Sequence, residues 1–76
     1  MSREAAYMAY ISIDREVCGG KPCIRGTRIT VAQVLEMLAD GMPESEILLD
    51  YPRLSPEKIR AAALYAAAHL ALADVA

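Results

Sequence analysis

Tryptophan, phenylalanine and asparagine are missing from this chain of 76 residues, histidine occurs once and cysteine twice. Without Phe or Trp, the interior has to be built from aliphatic side chains, alanine and four tyrosines. Such a composition favours helices. A lone His69 with no Asn offers no constellation for nucleophilic or general acid–base work, so no catalytic residue and no enzymatic activity are expected. Gly20-Lys21-Pro22 lacks the earlier Gly and the Ser/Thr of a phosphate-binding loop. Cys18 and Cys23 flank Gly-Gly-Lys-Pro, but zinc needs four ligands and His69 lies far off, so no metal or cofactor is expected. A disulfide does not persist in a reducing cytosol, which leaves two small, partly buried thiols packing as hydrophobes.

Basic excess is also missing. The net charge is −2 and the pI about 5.2, without the global positive field of a strong nucleic-acid binder. The longest apolar run, Ala61 to Ala73, is broken by His69 and falls short of the roughly 20 residues that span a bilayer. Met1 to Tyr10 has no charged-then-apolar leader with a cleavage site, so a cytoplasmic protein is expected, with residues 1–10 as a flexible or partner-bound arm. The remainder, 11–76, reads as one domain. So short a chain buries only about 60% of the surface its unfolded form exposes.

What is present is well punctuated. Ile11-Ser12-Ile13 alternates as a short strand does, and Cys23 to Thr30 reads as a tight hairpin centred on Arg25-Gly26-Thr27-Arg28. A two-residue Gly-Thr loop predicts a type II′ turn with Gly26 at the first corner. Arg25 then faces Arg28 across the hairpin and Ile24 faces Ile29, giving one cationic and one apolar side. Paired like charges are unfavourable unless compensated, either by Glu36, Asp40 or solvent, or by an anionic partner.

Three helices follow, over 31–40, 43–50 and 56–74. Thr30 and Gln33 make a capping box for the first, which buries Val31, Val34, Leu35 and Leu38 and stops at Gly41. Pro43 opens the second, with Ile47, Leu48 and Tyr51 inward, and Pro52 ends it. Ser55 caps the third and Pro56 opens it. Ile59, Ala62, Ala63, Ala66, Leu70 and Ala73 form one apolar stripe of this helix, yet Ala61, Leu64, Tyr65, Ala68 and Leu72 make the opposite side apolar too. A homodimer through Leu64, Tyr65, Ala68 and Leu72 is the expected cover.

A short helix before a long one suggests a helix-turn-helix. Its third helix would present Glu57, Lys58, Arg60 and Ala61 to a DNA groove, with Arg53 on phosphate and Arg25 and Arg28 assisting from the hairpin. Glu36, Asp40, Glu44, Glu46 and Asp50 oppose this, because Thr30 to Pro52 contains no Lys or Arg and should be repelled by a phosphate backbone.

Gly20-Lys21-Pro22, Ile24-Arg25-Gly26-Thr27-Arg28-Ile29, Gly41, the Ile47…Tyr51-Pro52…Leu54 run and the final Ala/Leu/Tyr-rich helix together resemble the domain of unknown function 433 family of small bacterial and archaeal proteins. The resemblance covers about Ile11 to Leu70. It implies a mainly α, three-helix homeodomain-like (helix-turn-helix) bundle with a short N-terminal β-hairpin. It also implies an antitoxin role, akin to Vap-type antitoxins, beside a PIN-like ribonuclease toxin; autoregulation through DNA is a further expectation. The residues offered to such a toxin are Arg25, Arg28, Glu36, Asp40, Glu44, Glu46 and Asp50. A DNA-binding regulator without a toxin and a non-enzymatic oligomerisation module remain the alternatives.

Overall fold

The computed structural model describes residues 7–74, with side chains through Leu70. It is mainly helical, with a small antiparallel sheet ahead of three helices. Strand β1 (Ile11–Ser12) pairs with β2 (Cys23–Ile24) in the register Ile11 to Ile24 and Ser12 to Cys23. On its other side β2 meets the returning chain, where Cys23 bridges Thr30 and the Ile24 amide donates to the Ile29 carbonyl at 2.9 Å. The expected 23–30 hairpin is therefore the inner half of a three-ply edge, and β1 covers its outer side.

Helix α1 (Val31–Ala39) begins with the expected capping box: Thr30 Oγ1 accepts from the Gln33 amide at 3.0 Å, and Gln33 Oε1 accepts from the Thr30 amide at 2.8 Å. Its end is equally explicit. The Met42 amide reaches the Met37 carbonyl and the Gly41 amide reaches that of Leu38, with Gly41 at φ +83° as this left-handed closure requires. Met37 and Met42 are both partly buried against the core, which fixes the direction in which the chain leaves. Helix α2 (Glu44–Asp50) starts one residue later than expected, because Pro43, in extended conformation, is its cap rather than its first turn. Helix α3 (Pro56–Asp74) is opened by Ser55, whose Oγ accepts from the Lys58 amide at 3.2 Å.

The core joins Ile11 and Ile24 of the sheet to Val31 and Val34 of α1, Ile47 of α2, and Leu54, Ile59, Ala61, Ala62 and Tyr65 around α3. Helix α1 packs chiefly on α3. Some apolar assignments fail: Leu38 and Tyr51 are exposed, as are Ala63 and, at 64%, Leu70 of the first α3 stripe. Met37, partly buried against the core, takes the inner place expected of Leu38.

The two apolar sides of α3 have a cause within the chain. Tyr7, from the arm expected to be flexible, is buried and meets Tyr65 edge-on, with centroids 5.8 Å apart, while Tyr10 packs partly against the same core. Of the four expected interface residues, Tyr65 is a core residue, and Leu64 and Ala68 are half-buried against that core. Leu72 lies outside the described side chains. Tyr7 thus covers Tyr65 and Tyr10 borders a cleft with Leu64, whereas residues 1–6 of that arm lie outside the described part.

Candidate functional site

The loop between Ile24 and Ile29 is the centre of the site, and its conformation departs from the expected one. The Thr27 amide donates to the Ile24 carbonyl at 3.0 Å, so the turn spans 24–27 and Gly26, at φ +81°, occupies its third position. That is the place of a positive φ in a type II turn, not a type II′ one. Thr27 locks the loop: its hydroxyl donates to the Ile24 carbonyl at 2.8 Å and accepts from the Ile29 amide at 3.0 Å. The residue pairing, Ile24 with Ile29 and Cys23 with Thr30, is the expected one.

Arg25 and Arg28 nevertheless part company. The Arg25 guanidinium donates to the carbonyls of Ala9 (3.2 Å), Met8 (3.2 Å) and Ile11 (2.7 Å), and its own amide donates to Tyr10 at 2.7 Å. It closes the helical turn that contains Tyr7 and Met8, whose terminal carbonyls would otherwise lack donors. Its guanidinium is thus met by backbone carbonyls rather than by Glu36 or Asp40. Arg28 instead lines a groove of about 690 Å³ between the loop and the α2–α3 connection. Val17, Ile29, Tyr51 and Pro52 supply its apolar walls, and Asp14, Asp50, Arg28 and Arg53 its charges. Arg53 spans the two walls by donating to the Gly26 carbonyl at 2.8 Å, and Lys58 Nζ donates to the Arg53 carbonyl at 2.7 Å.

Of the five cations expected on DNA, Arg28, Arg53 and Lys58 gather near the large groove, while Arg25 and Arg60 lie apart. Arg25 lies beside Met8 and Ile13, Arg28 and Arg53 border the large groove, and Arg60 borders a separate small cleft with Tyr10 and Leu64. The five acids Glu36, Asp40, Glu44, Glu46 and Asp50 are all exposed along α1 and α2, and Asp50 also forms part of the groove wall. No group of three or more potential metal ligands occurs among the described residues. No helix among them is long and apolar enough to cross a membrane. His69 stacks on Tyr65 with centroids 4.0 Å apart, and its Nδ1 lies 2.9 Å from the Tyr65 carbonyl.

Tyr51 and Pro52, legible as a helix stop, are also groove walls. No local signal marks that second use, because the opposite wall comes from residues more than twenty positions away.

The chain matches the model of "Protein of unknown function (DUF433)" over residues 11–66. It is 37% identical over 65 residues to "Uncharacterized protein y4eO" of Sinorhizobium fredii (strain NBRC 101917 / NGR234), covering 86% of this chain and 29% of that protein. A crystal structure of a DUF433 member protein from Anabaena variabilis ATCC 29413 superposes with a TM-score of 0.76 at 37% identity, over 86% of this chain and 64% of the other. Both relatives are longer, so the chain spans under a third of the first and under two thirds of the second. The Gly-Thr-Arg loop, the Tyr-Pro turn, the first two helices and the first part of α3 lie within the matched span, and the chain belongs to the DUF433 family.

Proposed function

We propose that the chain is a non-catalytic, antitoxin-type binding module whose partner is a basic protein of the PIN-like ribonuclease class. The observation that carries this reading is the exposed acidic surface of α1 and α2: Glu36, Asp40, Glu44, Glu46 and Asp50, with no Lys or Arg between Thr30 and Pro52. A ribonuclease presents cationic groups to RNA around an acidic metal site, so five carboxylates match its rim and steer encounter. Of the two hairpin arginines, Arg28 is the one suited to reach that metal site. The guanidinium of Arg25 already serves three carbonyls. Exposed Leu49 supplies an apolar anchor within the acidic surface.

DNA binding by a single chain is the weaker reading. The Arg25 guanidinium serves three of the chain's own carbonyls and Arg60 borders a separate cleft, which leaves Arg28, Arg53 and Lys58 near the groove and a salt slope corresponding to about three phosphates.

Co-expression with the product of the adjacent reading frame tests the proposal. The two should co-purify, the neighbour's ribonuclease activity should fall, and Glu44→Lys with Glu46→Lys should weaken the complex by at least about tenfold. A neighbour that neither co-purifies nor loses activity rules the proposal out.

A further inference from the structure

Cys18 and Cys23 bracket the turn that leads into β2. Cys18 is half-buried and Cys23 is 1% exposed. Cys18 Sγ donates to the Arg28 carbonyl at 3.3 Å, which places it directly beneath the loop bordering the groove. Cys23 is bridged to Thr30, two residues along from Arg28, and its Sγ donates to the Lys21 carbonyl at 3.4 Å. The Lys21 amide closes on the Cys18 carbonyl at 3.3 Å, folding the intervening segment back so that the Cys18 side chain lies beside that of Cys23.

The backbone between them is unusual. Cys18 (φ +53°), Gly19 (φ +65°) and Gly20 (φ +83°) are consecutively left-handed, and Cys18 is the one non-glycine in that region among the described residues. A side chain there costs about 1–2 kcal/mol that a glycine would avoid. The strain points to a use for the thiol itself.

We infer that Cys18 and Cys23 form a reversible dithiol–disulfide pair whose oxidation moves the hairpin loop carrying Arg28. The oxidant is a small disulfide of the glutathione class. Half-exposed Cys18 loses its proton and attacks one sulfur of that disulfide, releasing one glutathione thiol and leaving a mixed disulfide. Cys23 then loses its proton and attacks the Cys18 sulfur, releasing the second. Two thiol hydrogens and two electrons leave with the two glutathiones. The order follows from access and acidity: burial, with the neighbouring Cys18 thiol, pushes Cys23 up to about 11, so it acts second. Once the bond forms, the Arg28 carbonyl has lost its donor and the Lys21 carbonyl has lost the Cys23 thiol.

The test is mass spectrometry and amide NMR of the chain in glutathione redox mixtures. Trypsin leaves Cys18 and Cys23 in one peptide, 16–25, because Pro22 blocks cleavage after Lys21. The expected product is that peptide lighter by two hydrogens, restored by dithiothreitol, with the Arg28, Ile29 and Thr30 amide resonances shifting on oxidation. Cys18→Ser, which keeps a donor for Arg28, should show no hydrogen loss and no shift at those amides. Glutathione retained on either cysteine, an unmodified peptide, or a disulfide that leaves those three amides unmoved each overturn the inference.

Discussion

The helical and hairpin halves of this chain are held by different forces. In the helical half, α1 and α3 bring Val31, Val34, Ile59, Ala62 and Tyr65 together with Ile47, and burial of aliphatic surface is the main stabilising term. In the hairpin half the paired strands are two residues long, and Arg25 and Arg53 fasten the chain through four hydrogen bonds to carbonyls, alongside the buried Ile11 and Ile24. A positive charge in this family member therefore has two uses. Some cations are structural donors, and only the remainder are available to a partner.

Substitutions separate the two halves. The largest effect belongs to the aliphatic side: Ile47→Ala, at a fully buried position, should cost about 2–5 kcal/mol and leave the domain largely unfolded near 37 °C in thermal denaturation. Arg25→Ala should cost less, about 1–3 kcal/mol, and raise amide exchange in residues 7–13 well before α3 opens. Arg25→Lys should recover only part of that, because one ammonium cannot reproduce the guanidinium fork. If Arg25→Ala instead opened α3 and the hairpin together, the two halves would be one cooperative unit. Thr30→Ala, at the junction, should cost about 1 kcal/mol through loss of the α1 cap.

A further effect is alkaline. Cys23 is held above its ordinary 9.0, to about 11, mainly by burial, so the folded state prefers the neutral thiol. Its contribution is complete below pH 9, where both states are protonated, and declines as pH rises towards 11, because only the unfolded chain releases the proton readily. Denaturant midpoints of the parent should fall across that window, and those of Cys23→Val should fall less.

Much of the helical half was legible because its signals are local. The Thr30–Gln33 box, Gly41, Pro52 and Ser55 act within a few residues of where they stand, and each marks a helix boundary to within about a residue. The hairpin half was legible in its pairing but not in its fastening. Arg25 finds acceptors 14 to 17 positions away and Arg53 finds one 27 positions away, distances over which sequence pattern carries no geometry. The packing of Tyr65 on α3 was hidden for the same reason: Tyr7, which meets it, lies at the other end of the chain.

That docking of Tyr7 gives the protein an internal optical reporter. With no tryptophan and no phenylalanine, near-ultraviolet circular dichroism arises chiefly from four tyrosines, and the closest pair is the perpendicular one formed by Tyr7 and Tyr65. Two like chromophores fixed 5.8 Å apart at 87° sit in a chiral arrangement whose signal depends on both being held. Release of the segment around Tyr7 would quench this band while the far-ultraviolet helix spectrum stayed intact, so attachment of the chain's beginning to its longest helix can be followed in solution without any label.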